Sequence, residues 1–448
     1  MKNINATEGP LFKNIVLFSI PIMLSSILQL LYNAADIIVV GRFAGETALA
    51  AVGSTGSVVG LVVNVLIGLS VGATVVTANC IGAKNKDGVK KTANTALSIS
   101  VIGGLFMGII AIAFVKKILL FMNSPEDVID QSALYLRIFF AGLPVSMLYN
   151  FGAAVLRAMG DTKRPFVFLT ISGIVNVVLN LIFVIVFKMG VAGVAMATVI
   201  SQAVSAVLIM RFLIKGNEFY KFNIKELGID FAILKNIVSI GVPAGVQGIM
   251  FSVSNMMIQS SINSFGSIAM AGAAASANIE NFAYLSMNSV YQTAITFTSQ
   301  NVGAKSYERV KRTIGLCSLF VTMVGVVICG LIILFDKELI SIYTDGNKEI
   351  ITYGATKLKY MCSLYFLCGI MEVMTGALRG MGKSFSAMFI SILGICGMRL
   401  FWVFVVFEKY KTLECLYISY PVTWIITGLV QAICCFAAYK QLKQKSSL

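Results

Sequence analysis

Apolar runs of twenty or more residues follow one another from Lys13 to the last thirty residues, parted by short polar segments. About 20 apolar residues in a helix cross the roughly 30 Å hydrocarbon core of a bilayer. Lipid offers no hydrogen bonds, so the backbone of such a run must satisfy itself, as a helix does. Twelve spans are readable, near 13–40, 50–79, 92–115, 131–156, 166–187, 191–213, 233–260, 268–300, 313–335, 352–378, 385–407 and 416–439. This predicts an all-α polytopic membrane protein. Composition agrees: 58% of residues are hydrophobic and 12% charged, where a soluble chain carries about a quarter charged. The run 268–300 exceeds one bilayer thickness and should tilt, bend or protrude.

The net charge of +15 does not point to nucleic acid, because the basic residues are spread over the short loops. With the N-terminus inside, 23 of the 35 Lys and Arg fall on inner segments and 10 on outer loops and adjoining helix starts; Arg137 and Arg399 lie within spans. That asymmetry predicts a multi-pass protein of the cell (inner) membrane with both termini cytoplasmic. The first run is too long for a signal-peptide core and lacks a small-residue cleavage site.

There is no histidine, which excludes a Ser-His triad and His-based zinc catalysis. The nine cysteines form no C-x-x-C pair and lie mostly in apolar runs; they read as small hydrophobes. Gly68-Leu69-Ser70-Val71-Gly72 fits the G-x-S-x-G pattern, but inside an apolar helix with no base it reads as small-residue packing. No enzyme and no cofactor are expected.

The chain is a duplication. Lys13-Asn14-Ile15-Val16 recurs as Lys235-Asn236-Ile237-Val238, Pro21 as Pro243, Gly82-Ala83-Lys84 as Gly303-Ala304-Lys305, and Leu156-Arg157-Ala158-Met159-Gly160 as Leu378-Arg379-Gly380-Met381-Gly382. Six spans per half give both halves one orientation, so they are parallel repeats. The reading is two six-helix bundles around a central cleft: 1–214, a cytoplasmic linker 215–231, and 232–448. Pro21 and Pro243 each remove a backbone donor, which either permits a bend or shapes packing.

Within the first span, Gln29, Tyr32, Asn33 and Asp36 fall at i, i+3, i+4 and i+7, on one helix face. A carboxylate at lipid depth costs roughly 3 kcal/mol on insertion scales. Residues kept at such a cost mark a functional site or a pair with a neighbouring helix. Asp36 has no acidic counterpart in the repeat, where Ile258 stands, whereas Asn33 matches Asn255.

Tyr32-Asn33-Ala34-Ala35-Asp36 through Gly41-Arg42 resembles the first-helix signature of the MATE (multidrug and toxic compound extrusion) transporters. So do Ser299-Gln300-Asn301-Val302-Gly303-Ala304 and Ala377-Leu378-Arg379-Gly380-Met381-Gly382-Lys383-Ser384. The resemblance covers nearly the whole chain. It implies a monomeric antiporter that expels organic, often cationic and amphipathic compounds in exchange for H+ or Na+. It also implies a coupling-ion site of Asp36, Asn176, Asn180 and Thr198, with Asn180 where many members carry Asp. That departure removes one negative ligand from a sodium site; a lone Asp36 could equally well bind and release a proton. Asn176 and Asn180, at i and i+4 of an apolar helix, need polar partners whatever their role.

In the second half, Glu280 opens a polar face with Tyr284 and Asn288, and Glu372 lies deep in the tenth span. Glu280 and Glu372 would face the cleft and bind cationic substrate or a proton; for Glu372 the competing reading is a buried ion pair with Arg399. Gln29, Tyr32, Asn33, Asn255, Tyr284 and Asn288 complete the expected substrate-contacting set. A lipid-linked oligosaccharide flippase of the same superfamily is the first alternative. It ranks lower because a pyrophosphate cleft would want many intramembrane cations, and only Arg137 and Arg399 are read as such. A channel or membrane-embedded enzyme ranks lower still.

Overall fold

The computed structural model describes residues 4–122, 125–215, 228–344 and 346–446. All regular secondary structure among them is helical. The elements are α1 (Leu11–Phe43), α2 (Glu46–Gly82), α3 (Lys86–Phe121), α4 (Glu126–Ala141), α5 (Leu143–Ala158), α6 (Lys163–Val186), α7 (Gly190–Lys215), α8 (Phe231–Asn263), α9 (Ser267–Gly303), α10 (Tyr307–Leu334), α11 (Asp336–Ser341), α12 (Lys348–Cys362), α13 (Tyr365–Gly380), α14 (Ser384–Tyr410) and α15 (Leu413–Ser446). Every span read from the sequence falls on one of these helices or on a bent pair. Most of the linker, 216–227, lies outside the described residues.

Among the described residues nine helices are long and apolar enough to cross a membrane, or up to eleven if α4 with α5 and α12 with α13 each count as one span. Both pairs bend by 47° at the break, which hydropathy did not reveal. At the first, Pro144 stands at the start of α5 and removes a helical donor. The bend also lets Gly104 of α3 lie against it, since a Cβ there would come 2.5 Å from Pro144 Cα. The 37-residue α9 is not among the nine. Its polar residues, Asn278 through Gln292, dilute the run that the sequence reading took as a span.

The repeat is visible in the backbone. Lys84 and Lys305 both adopt φ 55°, and Gly45 and Gly266 take φ 91° and 94°. Lys84 and Lys305 end α2 and α9 in the same way. Their N–H groups bond Ile81 O and Val302 O, and the next residues return to Cys80 O and Asn301 O. Such a left-handed cap satisfies carbonyls that the helix end leaves open.

The chain forms two compact units, and they do not follow chain order. One comprises Leu24–Gly241; the other comprises Ile4–Met23 with Val242–Leu448. α1 and α8 therefore each contribute to both units, changing over beside Pro21 and Pro243, whereas the sequence division placed each whole in one bundle. In the first unit, Ile237 of α8 is fully buried among Leu66, Ala73 and Phe151. Here α8 meets α2 backbone to backbone: a Cβ on Gly72 would lie 2.1 Å from Ile237 O, and one on Gly241 2.8 Å from Leu69 Cα. The G-x-S-x-G stretch is thus a packing face. In the second unit, Ile15, Phe18 and Ile22 of α1 join a core with Met287, Val290 and Phe297. Ser19 and Thr293, both fully buried, bond there at 2.7 Å. The segment before α1 is strapped to the same unit. Gln300 Oε1 accepts from Ala6 N–H, Asn301 Nδ2 donates to Ala6 O, and Arg309 donates to the carbonyls of Ala6, Glu8 and Gly9.

Candidate functional site

Three helices of the first unit bring Asp36, Asn176, Asn180 and Thr198 together. Asn176 and Asn180 sit one turn apart on α6 and both are buried. Asn180 Nδ2 donates to Asp36 Oδ1 of α1 and, at 3.3 Å, to Asn176 Oδ1. From α7, Thr198 Oγ1 lies 3.5 Å from Asp36 Oδ2 and 3.0 Å from Val194 O, and its single proton serves one of the two at a time. Asn180 Oδ1 is itself buried without a hydrogen-bond partner. The widened turn Ile182–Val186 begins two residues after Asn180, and such turns often mark functional positions. Tyr135 of α4 lies within electrostatic reach of Asp36; it was not singled out from the sequence, where nothing in its neighbourhood is unusual.

The rest of the α1 face divides. Tyr32 is half-buried, its hydroxyl 3.4 Å from Thr170 O. Its ring lies against α6 where Gly173 leaves room, since a Cβ on Gly173 would overlap it at 1.7 Å. Gln29 and Asn33 are exposed and take no part in the Asp36 cluster.

The second unit arranges its charges differently from the sequence expectation. Glu280 on α9 is not a free acid: Lys357 of α12 lies 3.5 Å from it, both side chains under 10% exposed, and Lys357 also donates to Ala273 O at 3.2 Å. The partner is 77 positions away in sequence, at the start of the tenth span, where a lysine reads as a loop charge. Glu372 does not pair with Arg399. Arg399 Nη1 donates to Asn255 Oδ1 at 2.9 Å and its guanidinium stacks on Tyr420. Glu372 is buried, and no hydrogen bond or ion pair to it occurs among the described residues; Arg379, Tyr284 and Tyr291 are within reach of its charge. Arg379, read as a loop charge, is buried in α13 and donates to Tyr291 Oη and, at 2.8 Å, to Gln247 Oε1. Tyr284 packs against the core of the unit. Asn288 Oδ1 accepts from Gln292 at 3.4 Å. Among its described residues the unit therefore buries three cations, Lys357, Arg379 and Arg399, where the sequence reading of intramembrane cations has only Arg399.

Chemically, the first unit offers one carboxylate met by two donors in a half-buried place. The second offers an acid ion-paired to Lys357, an acid without a hydrogen bond or ion pair, and two arginines, Arg379 and Arg399, without a carboxylate. No group of three or more His, Cys, Asp or Glu suited to a metal occurs among the described residues.

Known proteins resemble this chain over most of its length. The chain is 29% identical over 435 residues to the probable multidrug resistance protein YoeA of Bacillus subtilis, covering 95% of this chain and 93% of that one. It is 27% identical over 409 residues to the probable multidrug resistance protein NorM of Thermotoga maritima, covering 89% and 86%. Its fold is similar to that of a MOP superfamily transporter from Pyrococcus furiosus, with TM-score 0.92, 23% identity and 99% of each chain covered. An outward-facing MATE family transporter gives the same TM-score and coverage at 23% identity. The MatE family profile matches twice, over residues 21–182 and 243–405, once in each repeat and over well more than half the sequence. The chain belongs to the MatE family, the MATE transporters.

Proposed function

We propose that the protein is a cation-coupled antiporter that exports organic, often cationic amphipathic compounds across the cell membrane by alternating access. It works as a monomer, with both termini cytoplasmic. The observation that carries this is Asp36: an acid on an apolar helix, held by Asn180 and Thr198 from two other helices. An ion can shift a conformational equilibrium only by binding one state more tightly than the other. Asp36 supplies that difference if its contacts to α6 and α7 change with its charge.

The geometry favours the proton as the coupling ion. Sodium is held by several oxygens, and Asp36 is the one charged ligand among Asp36, Asn176, Asn180 and Thr198. A proton needs only the carboxylate. The relatives named for multidrug resistance support organic compounds as substrates, and Glu372, buried without a partner, suits the positive group of such a compound.

The test is transport of a cationic dye into proteoliposomes under an imposed pH gradient and, separately, an imposed sodium gradient. The pH gradient should drive uphill dye movement and the sodium gradient should not. Uphill movement under sodium alone would overturn proton coupling, and downhill flux alone would overturn the antiporter.

A further inference from the structure

Gln300 and Asn301 stand in the family-like stretch 299–304, and the cluster at Asp36 makes no use of them. With Arg309 they converge on residues 4–9, the non-helical segment ahead of α1. Ala6 is fully buried. Its N–H donates to Gln300 Oε1 at 3.1 Å, and its carbonyl accepts from Asn301 Nδ2 at 3.2 Å and from Arg309 Nε at 2.8 Å. Arg309 Nη2 reaches the carbonyls of Glu8 and Gly9, both at 2.9 Å. From α1, Asn14 Nδ2 donates to the carbonyls of Asn5 and Glu8, each at 3.1 Å. Gly9 then turns the chain into α1 at φ 71°, a left-handed conformation that glycine adopts without a Cβ penalty. What is gripped is backbone: each of these bonds ends on a main-chain N–H or carbonyl. Asn5, Glu8 and Gly9 are exposed, so little apolar area adds to the grip. Segments held in that way lie at the low end of local stability and open without the rest unfolding.

The grip is not part of the architecture that the two repeats share. At the offset of 221, Gln300, Asn301 and Arg309 match Asn79, Cys80 and Gly88. Gly88 has no side chain, and the Cys80 thiol meets Thr92 Oγ1 at 4.0 Å. The approach to α8 is held by other means: Asp230 N–H donates to Thr95 Oγ1 at 3.1 Å, and Asp230 Oδ1 caps the first turn through Ala232 and Ile233. The halves therefore diverge twice on one pair of matching helices. α1 carries an acid, Asp36, where α8 has Ile258, and α1 is the helix whose approach meets the Gln-Asn-Arg grip.

We infer that Gln300, Asn301 and Arg309 form a binding site for an extended peptide, filled by the chain's own residues 4–9, and that this latch is a working part of transport. The inference rests on the efflux reading above, with Asp36 as the coupling residue. The start of α1 belongs to the second unit and Asp36 to the first. A proton at Asp36 shifts the transporter only through a difference in contacts between states. With the latch closed, α1 carries that difference from one unit to the other. With it open, the loose start of α1 absorbs it. Gln300, Asn301 and Arg309 are thus positioning residues that act on coupling through α1.

The latch can be read at one peptide bond. Arg309 holds the carbonyls of both Glu8 and Gly9, and a glutamate-specific endoprotease cuts between these two residues. In purified full-length protein, loss of residues 1–8, followed by intact mass, should run about tenfold or more slower than cleavage of a free peptide of residues 1–14. Arg309→Gln should restore about tenfold or more of that rate, the scale of one charge-assisted hydrogen bond. Arg309→Lys, which keeps the charge without the fork, should fall between. In proteoliposomes under a pH gradient, Arg309→Gln should lower the maximal rate of cationic dye transport about fivefold or more, the worth of one hydrogen bond. The half-saturating dye concentration should stay within about twofold, because the substrate's own contacts are untouched. Should Arg309→Gln fail to fold, deletion of residues 2–9 replaces it in the transport assay, with the same fall expected. Cleavage of wild type as fast as of the free peptide would overturn the latch. Fast cleavage of the variant with wild-type transport would leave the efflux reading standing and this inference fallen. Wild type that moves no dye under any gradient would overturn the efflux reading itself.

Discussion

Replacing Asp36 by asparagine should abolish gradient-driven export while leaving the protein folded. The two sides of the change can be weighed. An ionised carboxylate at lipid depth costs roughly 3 kcal/mol, and hydrogen bonds to a charged group return about 1.5–3 kcal/mol each. Asp36 has two such donors, Asn180 and Thr198. Asparagine keeps the shape, still accepts from Thr198 and removes the charge, so the losses and gains nearly cancel in stability. They do not cancel in transport. A neutral amide neither gains nor loses a proton, and the ion then has no differential affinity with which to bias one state. Purified Asp36→Asn should therefore melt close to wild type, while dye efflux from cells expressing it falls to the empty-vector level. Wild-type efflux would remove Asp36 from the mechanism.

The second large effect is on stability and lies in the other unit. Lys357→Met should destabilise the protein by about 3–5 kcal/mol, the cost of leaving one member of a buried ion pair without the other. Glu280 is 7% exposed, and the oxygen that faces Lys357 has no hydrogen-bond partner beside that ion pair, so little else could take the place of Lys357. Adding Glu280→Gln to Lys357→Met should recover most of the loss, since replacing both charges removes the desolvation penalty along with the attraction. Thermal melting of the two variants beside wild type gives the answer. A double variant no more stable than the single, or a single variant as stable as wild type, would mean that the pair does not hold α9 to α12.

How much of this could be read in the sequence varies with the distance over which the information acts. The helices follow from local composition, and their ends fall within a few residues of the apolar runs. The duplication is local too, because matching residues at one offset repeat the same caps, as Lys84 and Lys305 do. The Asp36 cluster was legible through the resemblance, which placed residues from α1, α6 and α7 in one site; spacing alone joins only Asn176 to Asn180 and Asp36 to its own helix. Hidden from the sequence were pairings between distant helices. Glu280 looked free because Lys357 stands far along the chain at the start of another span, where a lysine reads as a loop charge. Arg379 was misplaced for the same reason, at the end of a helix but turned into the unit. The exchange of α1 and α8 between the units was also invisible. A proline says that a helix can bend, not which side each half packs against.

The three buried cations bear on the alternative considered first. A flippase for pyrophosphate-linked sugars was set aside because intramembrane cations looked few. All three have protein partners: Glu280 and Ala273 O for Lys357, Tyr291 and Gln247 for Arg379, Asn255 and the Tyr420 ring for Arg399. Cations already engaged with protein groups are poorly placed to hold a pyrophosphate, so the ranking rests on their partners and not on the count.

The proposed coupling through Asp36 has a reciprocal consequence: if a proton gradient moves substrate, a substrate gradient must move protons. The most direct measurement is therefore the internal pH of proteoliposomes, with no ion gradient at the start, when a cationic dye gradient is imposed across them. Wild type should drive protons against the dye's direction, and Asp36→Asn should let none move. Dye movement without any pH change in wild type, or the same pH change in both proteins, would contradict proton coupling at Asp36.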